Sequence, residues 1–244
     1  KIQIILNSKT ANQYLNGMTT DCIFQIPQIE VKKRHKAHIQ VIDAVIPYSF
    51  YNVNYTNNVL KYRMRAPDDA VSSIQTIVIP RANYNITTLI AKLRQLMHSG
   101  FTIIYNSSTN KILISHDTNT FWFEAGTTCG ELIGLNEIFP SSEGVIWESD
   151  VSINLFTIRN IQVSSSNFIM NNICSATPNK ASIITSIPVD VNMGSIINYR
   201  NINGISSLIH EITNINNLHI QLLDQDGDLL NLNGLHWSIN LLLT

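Results

Sequence analysis

The strongest constraint in this sequence is a period of two. Residues 235–243 (LHWSINLLL) set Leu235, Trp237, Ile239, Leu241 and Leu243 on one side and His236, Ser238 and Asn240 on the other, with Leu242 on the polar side. Residues 218–223 (LHIQLL) repeat the pattern, with Leu218, Ile220 and Leu222 against His219 and Gln221. Successive side chains of a strand point to opposite faces, so this spacing predicts half-buried strands. The same reading predicts strands at 2–7, 22–31, 38–46, 151–163, 181–191, 194–200 and 206–214. Pro27 marks a bulge or an edge in the second of these, and Pro47 ends the third.

The segment DQDGD (224–228) between two of these strands poses a choice between a metal site and a turn. A calcium loop of the EF-hand kind needs oxygen ligands at positions 1, 3 and 5, glycine at 6 and a bidentate Glu at 12. Asp224, Asp226 and Asp228 suit the first three positions, but Leu229 and Leu235 occupy the last two. Both flanks read as strand. Asp226-Gly227 supplies residues that tolerate positive φ, and Asn233-Gly234 does so again before the last strand. The expectation is a hairpin turn that holds no metal.

The texture changes in the middle of the chain. Short strands at 59–65 and 74–79 precede NITTLIAKLRQLMHSG (85–100), whose Leu89, Ile90, Leu93, Leu96 and Met97 share one helical face. Asn85 or Thr87 can cap its start and Gly100 can end it. A hairpin follows at 101–116, with Phe101, Ile103 and Tyr105 on one face and Ile112 and Ile114 opposite, then a strand at 121–123 and a helical turn at 127–134. The early strands are too few to bury a core alone. The predicted organisation is a mainly β chain in which 1–57 and 148–244 build one β-sandwich or barrel, with a small α+β domain, 58–147, inserted between them.

Composition narrows the function classes. Charged residues are 14 % of the chain, against a usual ~25 %. That fits a protein that hides surface in an assembly, and equally one whose many Asn, Ser and Thr face water. The net charge of −1 argues against a nucleic-acid partner for the whole chain. The basic run Lys32–Lys36 (KKRHK) reads as a solvated loop, with contact to an anion as the alternative. Cys22, Cys129 and Cys174 are odd in number and far apart, so they form neither a disulfide framework nor a metal spacing, and a reducing compartment is expected. The sequons at Asn54, Asn85 and Asn106 are then expected to go unused. No apolar run reaches the ~18 residues of a membrane span, and no signal peptide is expected in the sequence from Lys1 onward.

No motif carries catalysis. HEITN (210–214) lacks the second histidine of a zinc helix, because Asn214 stands there. His35 and His38 fall on opposite faces of a strand and cannot share an ion. His98 suits a helix C-terminus, while His219 and His236 lie on the polar sides of their strands. Trp122, Trp147 and Trp237 sit in apolar strand contexts that predict packing. The chain is expected not to be an enzyme; the expected catalytic, cofactor-binding and metal-binding residues are none, and no cofactor is expected.

The order of several phrases resembles a known group. DAVIPYSFYNVN (43–54), IPRANYNITTLIAKL (79–93), FTIIYNSSTNKILIS (101–115), CGELIGL (129–135) and IQLLDQDGDLLNLNGLHWSINLLL (220–243) resemble the penton or minor capsid proteins of virophages, polinton-like viruses and giant viruses, in the double-jelly-roll lineage. The sharpest part is the C-terminal phrase, which in that group leads into the last barrel strand. The resemblance implies a single jelly roll with an inserted domain. It further implies a homopentamer at the five-fold vertices of an icosahedral capsid, with the double-jelly-roll major capsid protein as partner. The protein would then reside in the virion and assemble in the host cytoplasm. A 244-residue chain is short for two jelly rolls, which favours the single-barrel role. A non-penton minor capsid or cement role, and a host-attachment module binding a glycan or receptor, stay open. Exposure of Trp122 or Trp147 would favour the attachment module.

Overall fold

The computed structural model describes the chain except residues 30–36, 69–72, 137–138, 171–181 and 212–214. The first strands are β1 (Ile2–Asn7), β2 (Gln13–Tyr14), β3 (Asp21–Ile29) and β4 (Ala37–Pro47). The middle of the chain forms β5 (Val59–Arg65), β6 (Ile74–Val78), α1 (Ile86–Leu96), β7 (Phe101–Asn106), β8 (Lys111–His116), β9 (Thr120–Phe123), α2 (Gly130–Ile133) and β10 (Ile146–Glu148). Strands then resume as β11 (Asn160–Ser164), β12 (Ile169–Met170), β13 (Ile183–Pro188), β14 (Ile196–Arg200), β15 (Ser207–Glu211), β16 (Ile215–Leu223) and β17 (Ser238–Leu243). Two compact units result: Lys1–Phe50 with Ile158–Thr244, and Tyr51–Thr157.

The first unit is two antiparallel sheets. One runs β1-β17-β4-β15-β12, with β14 also on β4; the other runs β13-β11-β16-β3-β2. β14 pairs with Asp43–Pro47 and β15 with Ala37–Ile39 of the same strand, so together they make one interrupted strand. Counting β1, β3, β4, β11, β13, β14–β15, β16 and β17 as strands one to eight, the sheet orders are 1-8-3-6 and 2-7-4-5. That alternation of first and last strands across two sheets is the jelly roll. Its apolar faces supply one core, which includes Phe24, Ile39, Val163, Leu218, Ile220, Trp237, Ile239 and Leu241. The pairing of β3 with β16 is interrupted between Gln25 and Ile29, where Pro27 cannot donate to a ladder.

Two sequence expectations fail here. Leu235 does not join the stripe of the last strand and is 49 % exposed, whereas Trp237, Ile239, Leu241 and Leu243 are buried. The turn at Asn233 and Gly234, both left-handed, closes through Leu235 N–H on the Leu232 carbonyl, and the β17 ladder begins only at Ser238. Residues 151–159 are not strand; β11 starts at Asn160. Their alternation reflects separate anchors. Val151 and Ile153 donate to the carbonyls of Gly134 and Asn110, and Ile153 is buried in the core of the second unit.

The second unit has two three-stranded sheets, β6-β5-β9 and β10-β8-β7, with α1 packed on β7. Its own core includes Leu60, Tyr62, Leu89, Leu93, Ile103, Ile114, Phe121 and Phe123. The helix begins where expected. Asn85 accepts the Thr88 amide and Thr88 returns a hydroxyl contact to the Asn85 amide, a reciprocal cap, while Thr87 takes no part in it. Val53, outside the expected 58–147 segment, is fully buried in this core. Among the described residues, no helix is long and apolar enough to cross a membrane.

Candidate functional site

The acidic loop turns the chain. Asp224 Oδ1 accepts the amides of Asp226 (3.0 Å) and Asp228 (2.9 Å), and the Asp224 amide donates to the Asp228 carbonyl at 2.8 Å. Gly227 takes φ +89°, which glycine adopts without a Cβ penalty. Burial holds the Asp224 carboxyl above the usual carboxylate range, against the lowering pull of those two amides. Among the described residues no group of three or more His, Cys, Asp or Glu is placed to hold a metal.

The other singled-out residues disperse. Lys32–Lys36, with His35, lies outside the described residues, as do Cys174 and residues 212–214 of HEITN. Burial pushes the thiols of Cys22 and Cys129 up to about 12, so neither is a thiolate nucleophile near neutral pH. Asn85 is used as a helix cap, and Asn54 and Asn106 turn their own loops by accepting the amides of Thr56 and Ser108. His98 is exposed, with Nδ1 2.8 Å from the Ser99 carbonyl, and the exposed His236 Nδ1 meets Ser8 Oγ at 3.1 Å. His219 is half-buried, and both its ring nitrogens meet side chains.

The tryptophans offer no open platform. Trp122 is half-buried, donates Nε1–H to Glu124 at 2.9 Å and carries the Arg65 guanidinium 5.9 Å above its ring. Glu124 also holds Arg63 at 2.7 Å. Trp147 is half-buried and packs edge-on to Phe123 at 4.9 Å. A ring already covered by a cation or a phenyl group cannot stack on a sugar from that side.

What the fold does present is a sheet face. Side chains of β1, β17, β4 and β14 that point away from the core form cross-strand rows: Gln3–Leu242–Gln40, Ile5–Asn240–Asp43–Arg200 and Asn7–Ser238–Val45–Asn198. Ile5 is 73 % and Ile196 53 % exposed, and Val45 is also exposed. Asn240 Nδ2 donates to Asp43 Oδ1 at 2.7 Å. An open depression of about 940 Å³ lies where β4 meets β14, between Asp43, Val45, Asn198, Arg200 and Ile202. Exposed isoleucines beside fixed polar groups around an open depression are the chemistry of a contact surface.

A family profile described as a family of unknown function, DUF5901, matches residues 34–236. The chain belongs to this family. No curated protein matches it. The DUF5901 profile runs from the start of β4 to just before β17, so it takes in the whole second unit and most strands of the jelly roll. Among solved structures, the crystal structure of the mavirus penton protein is similar at a TM-score of 0.51 with 12 % identity, covering 100 % of this DUF5901 chain and 99 % of the mavirus one. At that identity the likeness is one of fold, and it extends over both units.

Proposed function

We propose that this chain is a penton: a structural capsid protein that closes into a homopentamer at five-fold vertices and meets the major capsid protein around it. The observation that carries the reading is full-length likeness in fold to the mavirus penton protein, jelly roll and middle unit together. The sheet orders 1-8-3-6 and 2-7-4-5 support it, since this fold recurs in viral capsids. The work of such a protein at the vertex is assembly by shape and burial. The outward face bearing Ile5, Val45 and Ile196 is one side of the ring contact, and a second copy of the chain covers it. Rings close when one patch meets a different patch under a fixed rotation. The test is density at the vertices of the virion: five copies of this chain fitting there supports the penton role, and density that rejects the jelly roll removes it. On this reading the protein resides in the virion.

A further inference from the structure

The loop after β11 brings Ser166 to β16. Asn167 fixes it there: its Oδ1 accepts the His219 amide at 2.7 Å and its Nδ2 donates to the Asn217 carbonyl at 2.8 Å. So anchored, Ser166 Oγ lies 2.7 Å from His219 Nδ1. The other ring nitrogen, Nε2, lies 2.6 Å from Asp21 Oδ1 on the neighbouring strand β3. Asp21 has only 2 % of its side chain exposed. It also receives Gln221 Nε2 on Oδ1 at 3.3 Å and Asn16 Nδ2 on Oδ2 at 3.0 Å. A carboxylate can only accept, so in the neutral imidazole the ring proton sits on Nε2 and Nδ1 keeps its lone pair. The Ser166 hydroxyl is then the donor to His219.

This is a nucleophile on a base, and a base held in one tautomer by a buried acid. We propose that Ser166, His219 and Asp21 form an activated-serine site that takes an acyl group from a carboxylic ester. The ring is used the other way round from the serine proteases, with the nucleophile on Nδ1 and the carboxylate on Nε2; either nitrogen can carry the proton. Ser166 Oγ attacks the ester carbonyl carbon as its proton passes to Nδ1, and Asp21 stabilises the imidazolium at Nε2. The alcohol leaves with the proton from Nδ1, giving an acyl-serine. Water repeats the sequence, releasing the acid and restoring the hydroxyl. The Ser166 amide is not used by another described residue and is free to meet an oxyanion. Ser166 is exposed and His219 has 18 % of its side chain exposed, so the ester reaches them from solvent, as an acyl group carried on a surface would. The activity is independent of the capsid role.

The probe is an alkyl fluorophosphonate, which phosphonylates an activated serine with loss of fluoride. Intact mass followed by peptide mapping should find one adduct, on Ser166, absent in Ser166→Ala. His219→Gln should slow labelling by about 100-fold, the lower end of what a general base contributes. Asp21→Asn keeps the shape and an oxygen able to accept Nε2–H, but removes the charge that stabilises the imidazolium. It should slow labelling while the melting temperature is kept, a signature that loss of packing does not give. A protein that is not labelled at Ser166, labelling unchanged in His219→Gln, or a wild-type ring protonated on Nδ1 would each overturn the proposal.

Discussion

Trp237 ties the two sheets of the jelly roll together. It is 2 % exposed, packs edge-on to Phe24 at 5.9 Å and donates Nε1–H to the Thr19 carbonyl at 2.7 Å. Trp237→Ala removes the ring and orphans that carbonyl, so equilibrium denaturation should record a loss of ~3–5 kcal/mol. Asp224 allows a test of sign. Its folded carboxyl is raised, chiefly by burial, so the folded state binds the proton more tightly than the unfolded chain. The stability this contributes is complete below the ordinary carboxylate pKa and is lost as pH rises through the folded value. Asp224→Asn keeps the acceptor for the Asp226 and Asp228 amides without the charge. Melting curves should therefore find the variant gaining on the wild type as pH rises from acid, then levelling off. The legible residues were those whose partners are local in sequence. The turn chemistry of Asp224 needed only its own loop. The Ser166–His219–Asp21 cluster was illegible, because three distant segments meet there and the alternation assigned His219 simply to a polar face.

At the scale of elements, helix α1 was readable, with its cap narrowed to Asn85 or Thr87 and settled on Asn85 by the reciprocal bonds with Thr88. Its signals, an apolar stripe and Asn85 three residues before Thr88, lie within four turns of chain. Asn85→Ala should lower stability by ~1 kcal/mol in denaturant titration, with the loss confined to the unit that contains α1. Pro27 likewise announced the interruption in β3, because a missing N–H is a property of the residue. The strand expected at 151–163 failed for the opposite reason. Alternation records which side chains are buried and not what the backbone pairs with. Ile153 is buried, yet its amide is bonded to the Asn110 carbonyl of a loop. Leu235 fits the period of β17, but the turn at Asn233-Gly234 holds it outside the ladder. Sheet partners come from long-range pairing, and nothing in a single strand's pattern names them.

At the scale of the whole molecule, the two units have separate cores. The chain's two passages into the second unit run side by side, with Thr157 Oγ1 donating to the Asn52 carbonyl at 3.0 Å. We propose that the middle unit is a domain inserted into a jelly roll able to fold alone. Replacing Tyr51–Thr157 by a short linker should leave a cooperative melt, and a truncated protein without one would count against it. Ring contacts are testable on the outward sheet face. Ile5→Asp should leave the monomer folded and raise the dissociation constant of the ring at least ~10-fold, since a buried large apolar side chain contributes ~1.5–3 kcal/mol. Leu242→Asp, on the same face between Gln3 and Gln40, should act in the same direction. The central claim is most directly tested by native mass spectrometry of the purified chain. The account predicts a closed species of five times the 27.4 kDa subunit mass, shifting to monomer in Ile5→Asp. A protein that stays monomeric or forms trimers at high concentration would contradict it.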